Sequence, residues 1–356
     1  MNPISSSMLR LAAATALTAV ATFAATPADA SLTVFNSFFG SYGLSTDRGF
    51  DNGSTHNKLV VNAPVGAVVE SAYLYTSRNK SPGQNPNNAV TLNGSAVNGF
   101  GSLGVLPLPA CCTLEAWRTN VTNIVKPVVD GGAGGAYTFQ YRETNTGSTI
   151  DGSALVVVFS KAGLPNRSIG IYDGFSNSAG DNFSVNLGGP LNKTPDFSAE
   201  MRLGIGFSVN NNNSGGQVST VTVNGNTLTT RAGNPDDGIS QDGGLITVGG
   251  DDDPIISTPP ANISDDHERY NLTDFLANGI TQINLRTLNP SNNDNIFLAV
   301  FDLGLRAGFE EPPPPDPCIA DPQSCVPVNN VPEPGSLAVL ASAIAGWTIL
   351  RRRRRD

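Results

Sequence analysis

Short apolar runs alternate with clusters of Asn, Gly and Pro along most of the chain, a pattern typical of strands joined by turns. Ala67–Thr76 alternates apolar and polar residues as a half-buried strand does, whereas Ser153–Ser160 (SALVVVFS) is apolar enough for a central strand buried on both faces. The same criteria predict further strands over Asn88–Leu92, Ala136–Arg142, Asn182–Leu187, Glu200–Val209, Val218–Val223, Thr227–Thr230, Leu245–Val248, Ile280–Leu288 and Ile296–Leu305.

Two Asn-Gly pairs predict tight hairpins. Asn224-Gly225 lies between VSTVTV and NTLTT, and a type I′ turn needs the positive φ angles that Asn and Gly accept. Asn93-Gly94 is a weaker example of the same pattern. Helical patterns are few: Leu272–Leu276 suits one short turn, and Thr119–Val129 stays ambiguous because Pro127 limits a helix there.

These elements predict an all-β chain with the architecture of an antiparallel β-sandwich or jelly roll, either one large sandwich or two in tandem. The predicted ectodomain covers residues 31–308. Its least strand-like joint is Lys161–Arg167, which is where a division into two lobes is expected.

The first 30 residues have the pattern of a cleavable secretory signal peptide. Arg10 supplies the positive charge, Leu11–Ala25 is apolar, and the small residues Ala28 and Ala30 predict cleavage before Ser31. The alternative is a buried Ala-rich helix, which would have no helical partner in a chain of strands.

The other end combines three features in order: a Pro-Glu-Pro tripeptide, an uncharged run over residues 335–350 and an arginine cluster. The run spans about 24 Å as a helix, a little short of a full hydrocarbon core. It predicts a single short transmembrane helix, with the arginines on the cytoplasmic side and the bulk of the protein outside the cytoplasm.

This arrangement resembles the PEP-CTERM sorting signal of Gram-negative bacteria that also make exopolysaccharide. The resemblance implies recognition by an integral-membrane exosortase after passage through the Sec translocon, and therefore an inner-membrane intermediate before release to the cell surface or matrix. A plain C-terminal anchor behind a stalk is the alternative. The residues that match over 331–356 are Val331, Pro332, Glu333 and Pro334, then the helix 335–350, then Arg351, Arg352, Arg353, Arg354 and Arg355.

A Pro-rich linker over residues 309–330 precedes this signal, and its EPPPPDP run favours an extended, semi-rigid stalk.

Four cysteines in an exported chain suggest disulfides. Of the three pairings, the local one is favoured, with Cys318 joined to Cys325 in the stalk and Cys111 joined to Cys112.

Amino-acid composition argues against some classes of protein. Charged residues make up 14% of the chain, and it has 36 Asn but only 5 Lys, which argues against a helix bundle or a nucleic-acid binder. The full chain has a net charge of −9, residues 335–356 contribute +4 from five Arg and one Asp, and Arg10 and Asp29 cancel within residues 1–30, so −13 remains on residues 31–334. An acidic, Lys-poor exterior suits cations or neutral glycans.

Catalytic motifs are missing from this sequence. Only two histidines exist, neither near a GxSxG motif, and acid pairs such as Glu70 with Glu143 are more simply solvent-facing strand residues.

The exposed aromatic candidates for stacking on sugars are Tyr73, Tyr75, Trp117 and Tyr172, although strand aromatics are more often core residues. A calcium site is a further hypothesis, from acidic loops that supply oxygen ligands: Asp251, Asp252, Asp253, Asp265, Asp266 and Asp294.

The leading hypothesis is an exported, non-catalytic protein with a structural or adhesive role, associated with exopolysaccharide or biofilm and requiring no cofactor. The alternative is a secreted carbohydrate-active enzyme, or a module that binds glycan or calcium. A third hypothesis, an ice- or surface-binding module, predicts a flat Thr or Asn array, which only Thr220–Thr230 suggests.

Overall fold

The computed structural model describes residues 32–50, 57–80, 89–108, 112–144, 150–177, 179–206, 219–233, 246–256, 267–290, 295–304 and 309. Within these ranges the chain forms nineteen strands, one α-helix, α1 (Thr122–Val129), and one 3₁₀ helix (Thr273–Phe275). The strands are β1 (Thr33–Gly40), β2 (Tyr42–Gly49), β3 (Lys58–Ala63), β4 (Val68–Lys80), β5 (Val90–Leu92), β6 (Ser95–Val97), β7 (Gly101–Leu108), β8 (Cys112–Asn120), β9 (Gly135–Glu143), β10 (Ile150–Ser160), β11 (Arg167–Asp173), β12 (Asn182–Asn186), β13 (Ala199–Gly206), β14 (Ser219–Val223), β15 (Asn226–Ala232), β16 (Ile246–Val248), β17 (Arg269–Asn271), β18 (Gln282–Leu288) and β19 (Asn295–Leu303).

The strands form four sheets, and every strand pair in them is antiparallel. Inner sheet 1 has the order β2-β10-β4-β8-β7, and outer sheet 1 has the order β3-β9-β5-β6. Inner sheet 2 has the order β1-β11-β19-β13-β16, with β17 also on β13, and outer sheet 2 has the order β12-β18-β14-β15. The prediction of an all-β chain built from antiparallel sheets is confirmed.

Three hydrophobic cores stack these sheets into four layers. Leu59 of outer sheet 1 shares one core with Leu155 of inner sheet 1. The two inner sheets face each other across a second core, which holds Val156 and Phe297. A third core joins inner sheet 2 to outer sheet 2. The order of layers is therefore outer sheet 1, inner sheet 1, inner sheet 2, outer sheet 2.

Strand β10 shows why its sequence has no polar alternation. Leu155 and Val157 point into the core with outer sheet 1, while Ala154, Val156 and Val158 point into the core between the inner sheets. Successive side chains of a strand face opposite sides, so a strand between two apolar layers must be apolar at every position. The predicted burial on both faces is confirmed, since ten of its eleven residues are buried.

The sheet topology repeats along the chain. Strands β2–β10 form one inner and one outer sheet, and β11–β19 form the second pair, with the outer-sheet strands in the corresponding order. The inner sheets correspond as far as β4 and β13, after which β8 alone pairs with β4 but β16 and β17 both pair with β13. In both halves a short helix precedes the strand that sits second in the outer sheet: α1 before β9, and the 3₁₀ helix before β18. The segment 161–166 connects β10 to β11, where the second round begins, and β1 adds an edge strand to inner sheet 2.

The structure shows what the two candidate helical segments form. The ambiguous segment Thr119–Val129 contains the end of β8 and then α1, which tolerates Pro127 inside it and buries Val125 and Val129. The segment Leu272–Leu276 contains the one-turn 3₁₀ helix.

The signal peptide 1–30, Ser31 and nearly all of the stalk and sorting segment lie outside the described residues. Phe309 is described, and it is buried among Tyr172 and Phe301, so the packed body includes residue 309. No helix within the described ranges is long and apolar enough to cross a membrane.

Candidate functional site

The outward face of outer sheet 2 is a regular array of amides and hydroxyls. Strands β12, β14 and β18 alternate strictly, so Phe183, Val221 and Leu285 enter the core while their neighbours point to solvent. The solvent-facing residues of the three neighbouring strands β12, β18 and β14 are Asn182, Ser184, Asn186, Thr220, Thr222, Gln282, Asn284, Arg286 and Leu288.

Arg286 occupies the middle of this face. The strand register places it opposite Asn182 on one side and Thr222 on the other. Ser184 Oγ donates a 3.0 Å hydrogen bond to Asn284 Oδ1, and Gln282 Nε2 donates one of 2.8 Å to Asn186 Oδ1. These cross-strand contacts hold the polar groups in rows across the sheet.

A shallow depression of about 380 Å³ lies around Arg286, lined by Asn182, Phe183, Ser184, Thr222, Gly225, Asn284, Leu285 and Arg286. None of these eight lining residues carries a carboxyl, imidazole or thiol group, so the lining offers hydrogen bonds and one positive charge but no general acid or base. The arrangement suits binding of a hydroxyl-rich molecule.

The Asn224-Gly225 turn forms one wall of this depression. Asn224 has φ 50° and Gly225 has φ 82°, as a type I′ turn requires, so the predicted hairpin is confirmed. Asn224 Oδ1 accepts a 2.9 Å hydrogen bond from Asn284 N, and Asn224 N donates one of 2.8 Å to Asn284 O. The turn is therefore fastened to β18, beside the exposed Asn284 side chain.

A second depression, the Trp117 cleft of about 340 Å³, lies beside outer sheet 1 and is lined by Ala89, Val90, Thr91, Ala96, Val97, Asn98, Gly99, Phe100, Trp117 and Thr144. Behind it, the buried Arg78 donates from Nε to Glu115 Oε2 over 2.7 Å, and its guanidinium carbon lies 5.5 Å from the Trp117 ring centroid. Trp117 Nε1 lies 3.3 Å from the same carboxylate oxygen. The ion pair thus fixes the half-buried indole at the cleft.

The other aromatic candidates for sugar stacking are core residues. Tyr73, Tyr75 and Tyr172 are 6%, 0% and 3% exposed. Tyr75 Oη donates a 2.8 Å hydrogen bond to Asp173, which also pairs with Arg118. Burial raises the pKa of the Asp173 carboxyl, against the lowering effect of the Arg118 guanidinium.

A second buried network joins the two inner sheets. Arg202 of β13 contacts Glu200, Asp251 and Thr46 over 2.5, 2.5 and 2.6 Å. Burial by itself raises the pKa of Glu200, but the guanidinium groups of Arg202 and Arg269 outweigh it and leave that pKa lowered. Sequence reasoning missed this network because its members lie far apart along the chain.

Asp251, Asp252 and Asp253 are the acidic residues proposed for calcium that the structure describes, and Asp251 and Asp253 have other partners. Asp251 pairs with Arg202 and accepts from Ser45 Oγ over 2.5 Å, and Asp253 Oδ2 accepts from Gly250 N over 2.7 Å. In the described part of the chain no group of three or more His, Cys, Asp or Glu side chains is placed to hold a metal ion. Asp265, Asp266 and Asp294 lie outside the described residues, so the calcium site stays a prediction.

Cys112, the one cysteine within the described ranges, is disulfide-bonded. Its predicted partner Cys111 lies outside those ranges, as do Cys318 and Cys325, so the pairing stays a prediction. Ala28, Ala30 and Ser31 at the predicted cleavage site and Pro332, Glu333 and Pro334 at the sorting signal also lie outside the described ranges.

Comparison with known proteins identifies a sorting motif at the C-terminus. A family model described as the PEP-CTERM protein-sorting motif matches residues 330–355, so the chain carries this motif, as the resemblance implied. No curated protein sequence matches the chain.

Solved structures give only remote likenesses. One is BuGH86wt in complex with neoagarooctaose, with 14% identity, a TM-score of 0.24, and coverage of 69% of this chain and 33% of that one. Another is BpGH86A, a β-porphyranase of glycoside hydrolase family 86 from the human gut bacterium Bacteroides plebeius, with 12% identity, a TM-score of 0.22, and coverage of 78% and 37%. This chain spans about a third of the length of these proteins, and at such scores the likeness says nothing about its activity.

Proposed function

We propose that this chain is an exported, non-catalytic protein of the cell surface or extracellular matrix that binds the polysaccharide secreted by the same cells. Its PEP-CTERM motif marks it for export through the cell envelope and processing by an exosortase. The resemblance stated above adds the expectation that the producing cell makes exopolysaccharide.

The observation that carries the proposal is the outward face of outer sheet 2. Sugars present hydroxyl groups as both donors and acceptors, and the face presents matching groups at Ser184, Thr222 and Asn284 in a fixed geometry. The lining of the depression, which has no acid or base, supports binding without turnover.

Cosedimentation of the purified chain with the extracellular polysaccharide of the producing cells tests this function. The double variant Thr222→Ala/Arg286→Gln removes one hydroxyl and the positive charge from the depression. We expect binding to that face to weaken by about tenfold or more, because two polar contacts at about 1 kcal/mol each are lost. Lys161→Gln is the matched control, because it removes one positive charge from the segment between β10 and β11, outside both outer sheets.

Two results would refute the proposal. Failure of the wild-type chain to cosediment with the polysaccharide would remove the binding function. Release of new reducing ends from the polymer by the chain would instead favour the carbohydrate-active enzyme, and the search would then move to its carboxylates.

The sorting step has its own test, the intact mass of the chain recovered from cells or medium. We expect the wild type to lack residues 1–30 and the segment after about Pro334. A Pro332→Ala/Pro334→Ala variant should keep its C-terminal segment and stay in the membrane fraction. A wild-type chain that retains Arg351–Arg355 would identify the tail as a permanent anchor.

A further inference from the structure

The outer sheets of the two halves carry the same structural unit at the same position. Asn93 and Asn224 have φ angles of 49° and 50°, and the glycine after each also has a positive φ. Asn93 Oδ1 accepts from Gln140 N over 2.8 Å, as Asn224 Oδ1 does from Asn284 N over 2.9 Å. Each asparagine N–H also donates over 2.8 Å to the backbone carbonyl oxygen of its partner, Gln140 in the first half and Asn284 in the second.

The exposed residues beside each turn correspond as well. Thr91 lies opposite Arg142 in outer sheet 1, and Thr222 lies opposite Arg286 in outer sheet 2. Both arginines are exposed and both threonines are half-buried. We define face 1 as the outward side of outer sheet 1 around Thr91 and Arg142, and face 2 as the outward side of outer sheet 2 around Thr222 and Arg286.

The two faces point away from each other. Each outer sheet buries its inward side against its own inner sheet, and the inner sheets pack against one another in the middle. The faces are therefore the two ends of a four-layer stack. With layers about 10 Å apart, about 30 Å separates the outer sheets, too far for one straight polymer strand to touch both.

Local charge on these faces opposes the net charge of the protein. The charged side chains on the outward positions of β3, β9, β12 and β18 are Lys58, Arg142 and Arg286, all cationic. Residues 31–334 as a whole carry a net charge of −13. A guanidinium set among hydroxyls and amides matches a sugar chain that bears carboxylates, because it can bind a carboxylate through two hydrogen bonds.

We propose that this protein is a bivalent cross-linker, with face 1 and face 2 each holding a separate strand of a carboxylate-bearing polysaccharide. The inference rests on the proposed function and adds the ligand's charge and the valency. Face 1 also adjoins the Trp117 cleft, because Thr91 lines that cleft, so the half-buried Trp117 indole is close to it. The aromatic ring in the lining of face 2 is that of Phe183, which is buried in the core. Stacking on the indole makes face 1 the tighter of the two.

Bead bridging tests the proposal on the chain purified from producing cells. Beads are coated with the extracellular polysaccharide of those cells, either native or with its carboxyl groups reduced to alcohols. Wild type, a face 1 variant (Thr91→Ala/Arg142→Gln), a face 2 variant (Thr222→Ala/Arg286→Gln), the combined variant and the Lys161→Gln control are compared. Bound protein and light scattering from bead aggregates are measured separately.

We expect wild type and the control to bind and to aggregate native beads. Opposite faces cannot both engage one bead surface, so each single-face variant should lose only the share of binding due to its own face. Bead aggregation, which needs both faces, should fall at least tenfold in either variant. The combined variant should bind at least tenfold more weakly than wild type and should not aggregate the beads, and carboxyl-reduced beads should bind wild type several-fold more weakly.

The outcomes separate the two proposals. Absence of wild-type binding to native beads would refute the proposed function. Binding with undiminished aggregation by either single-face variant would overturn bivalency while leaving the proposed function intact. Equal binding to native and carboxyl-reduced beads would overturn the carboxylate specificity. Unchanged thermal unfolding of the variants, whose altered residues lie at the surface, checks that the fold is kept.

Discussion

Asp47 is a carboxyl group whose ionisation should weaken the fold near neutral pH. It lies on β2, and its Oδ2 accepts a 2.5 Å hydrogen bond from Val60 N at the edge of β3. Burial, reinforced by the nearby Asp252 carboxylate, raises the pKa of Asp47 from 3.8 to about 7, although the Val60 hydrogen bond lowers it. Asp47 therefore becomes ionised in the folded protein close to neutral pH.

The direction of the pH effect on stability follows from the linkage between proton binding and folding. The folded-state pKa is above the unfolded value, so the folded protein binds the proton more tightly, and the contribution to stability is fully present below about pH 3.8 and is lost as pH rises through about 7. At 1.36 kcal/mol per pH unit the full shift corresponds to about 4 kcal/mol. Because Asp47 is only half-buried, solvent screening reduces this to about 2 kcal/mol.

Asp47→Asn tests this reasoning, because an amide keeps an oxygen acceptor for Val60 N and cannot ionise. Urea unfolding at pH 4.5 and pH 8.5 should show the variant close to wild type at the lower pH and about 2 kcal/mol more stable at the higher pH. Asp196→Asn, at an exposed turn residue, is the control and should show no such pH-dependent gain. An equal effect of Asp47→Asn at both pH values would refute the assigned titration.

Other predictions concern the buried ion pair and the repeated turns. Arg78→Met leaves the Glu115 carboxylate buried without its cation and should cost about 3–5 kcal/mol in chemical denaturation, whereas Arg78→Met/Glu115→Leu should be near neutral; equal losses in both would show that packing dominates. Asn224→Gly keeps the positive φ but loses both the acceptor for Asn284 N and the Nδ2 donor to Phe275 O, so it should lower the unfolding free energy by about 2 kcal/mol. Asn93→Gly loses the acceptor for Gln140 N and should cost about 1 kcal/mol, and a loss close to zero would contradict the equivalent role of the two turns.

Several strands escaped prediction because their stability does not come from local pattern. β2 (YGLSTDRG) is rich in turn formers, yet it pairs along its whole length with β10, and its Ser45 and Asp47 accept from the backbone N–H groups of Asn62 and Val60. β8 carries Glu115 and Arg118, whose charges are matched by Arg78 on β4 and Asp173 on β11. Polar residues of this kind are stable in a sheet only when distant residues satisfy them.

The local sequence determined the all-β class, the apolar strand β10, both Asn-Gly hairpins and the C-terminal sorting signal, because each depends on residues close together along the chain. Tertiary structure alone decided the four-layer stacking and the buried position of Tyr75, which joins Asp173 across the inner sheets. It also decided that Thr222 and Arg286, 64 residues apart, share one exposed face with an equivalent on the opposite side. Strand pairing between distant segments brings such residues together, and the alternation within one strand cannot reveal which strand lies beside it.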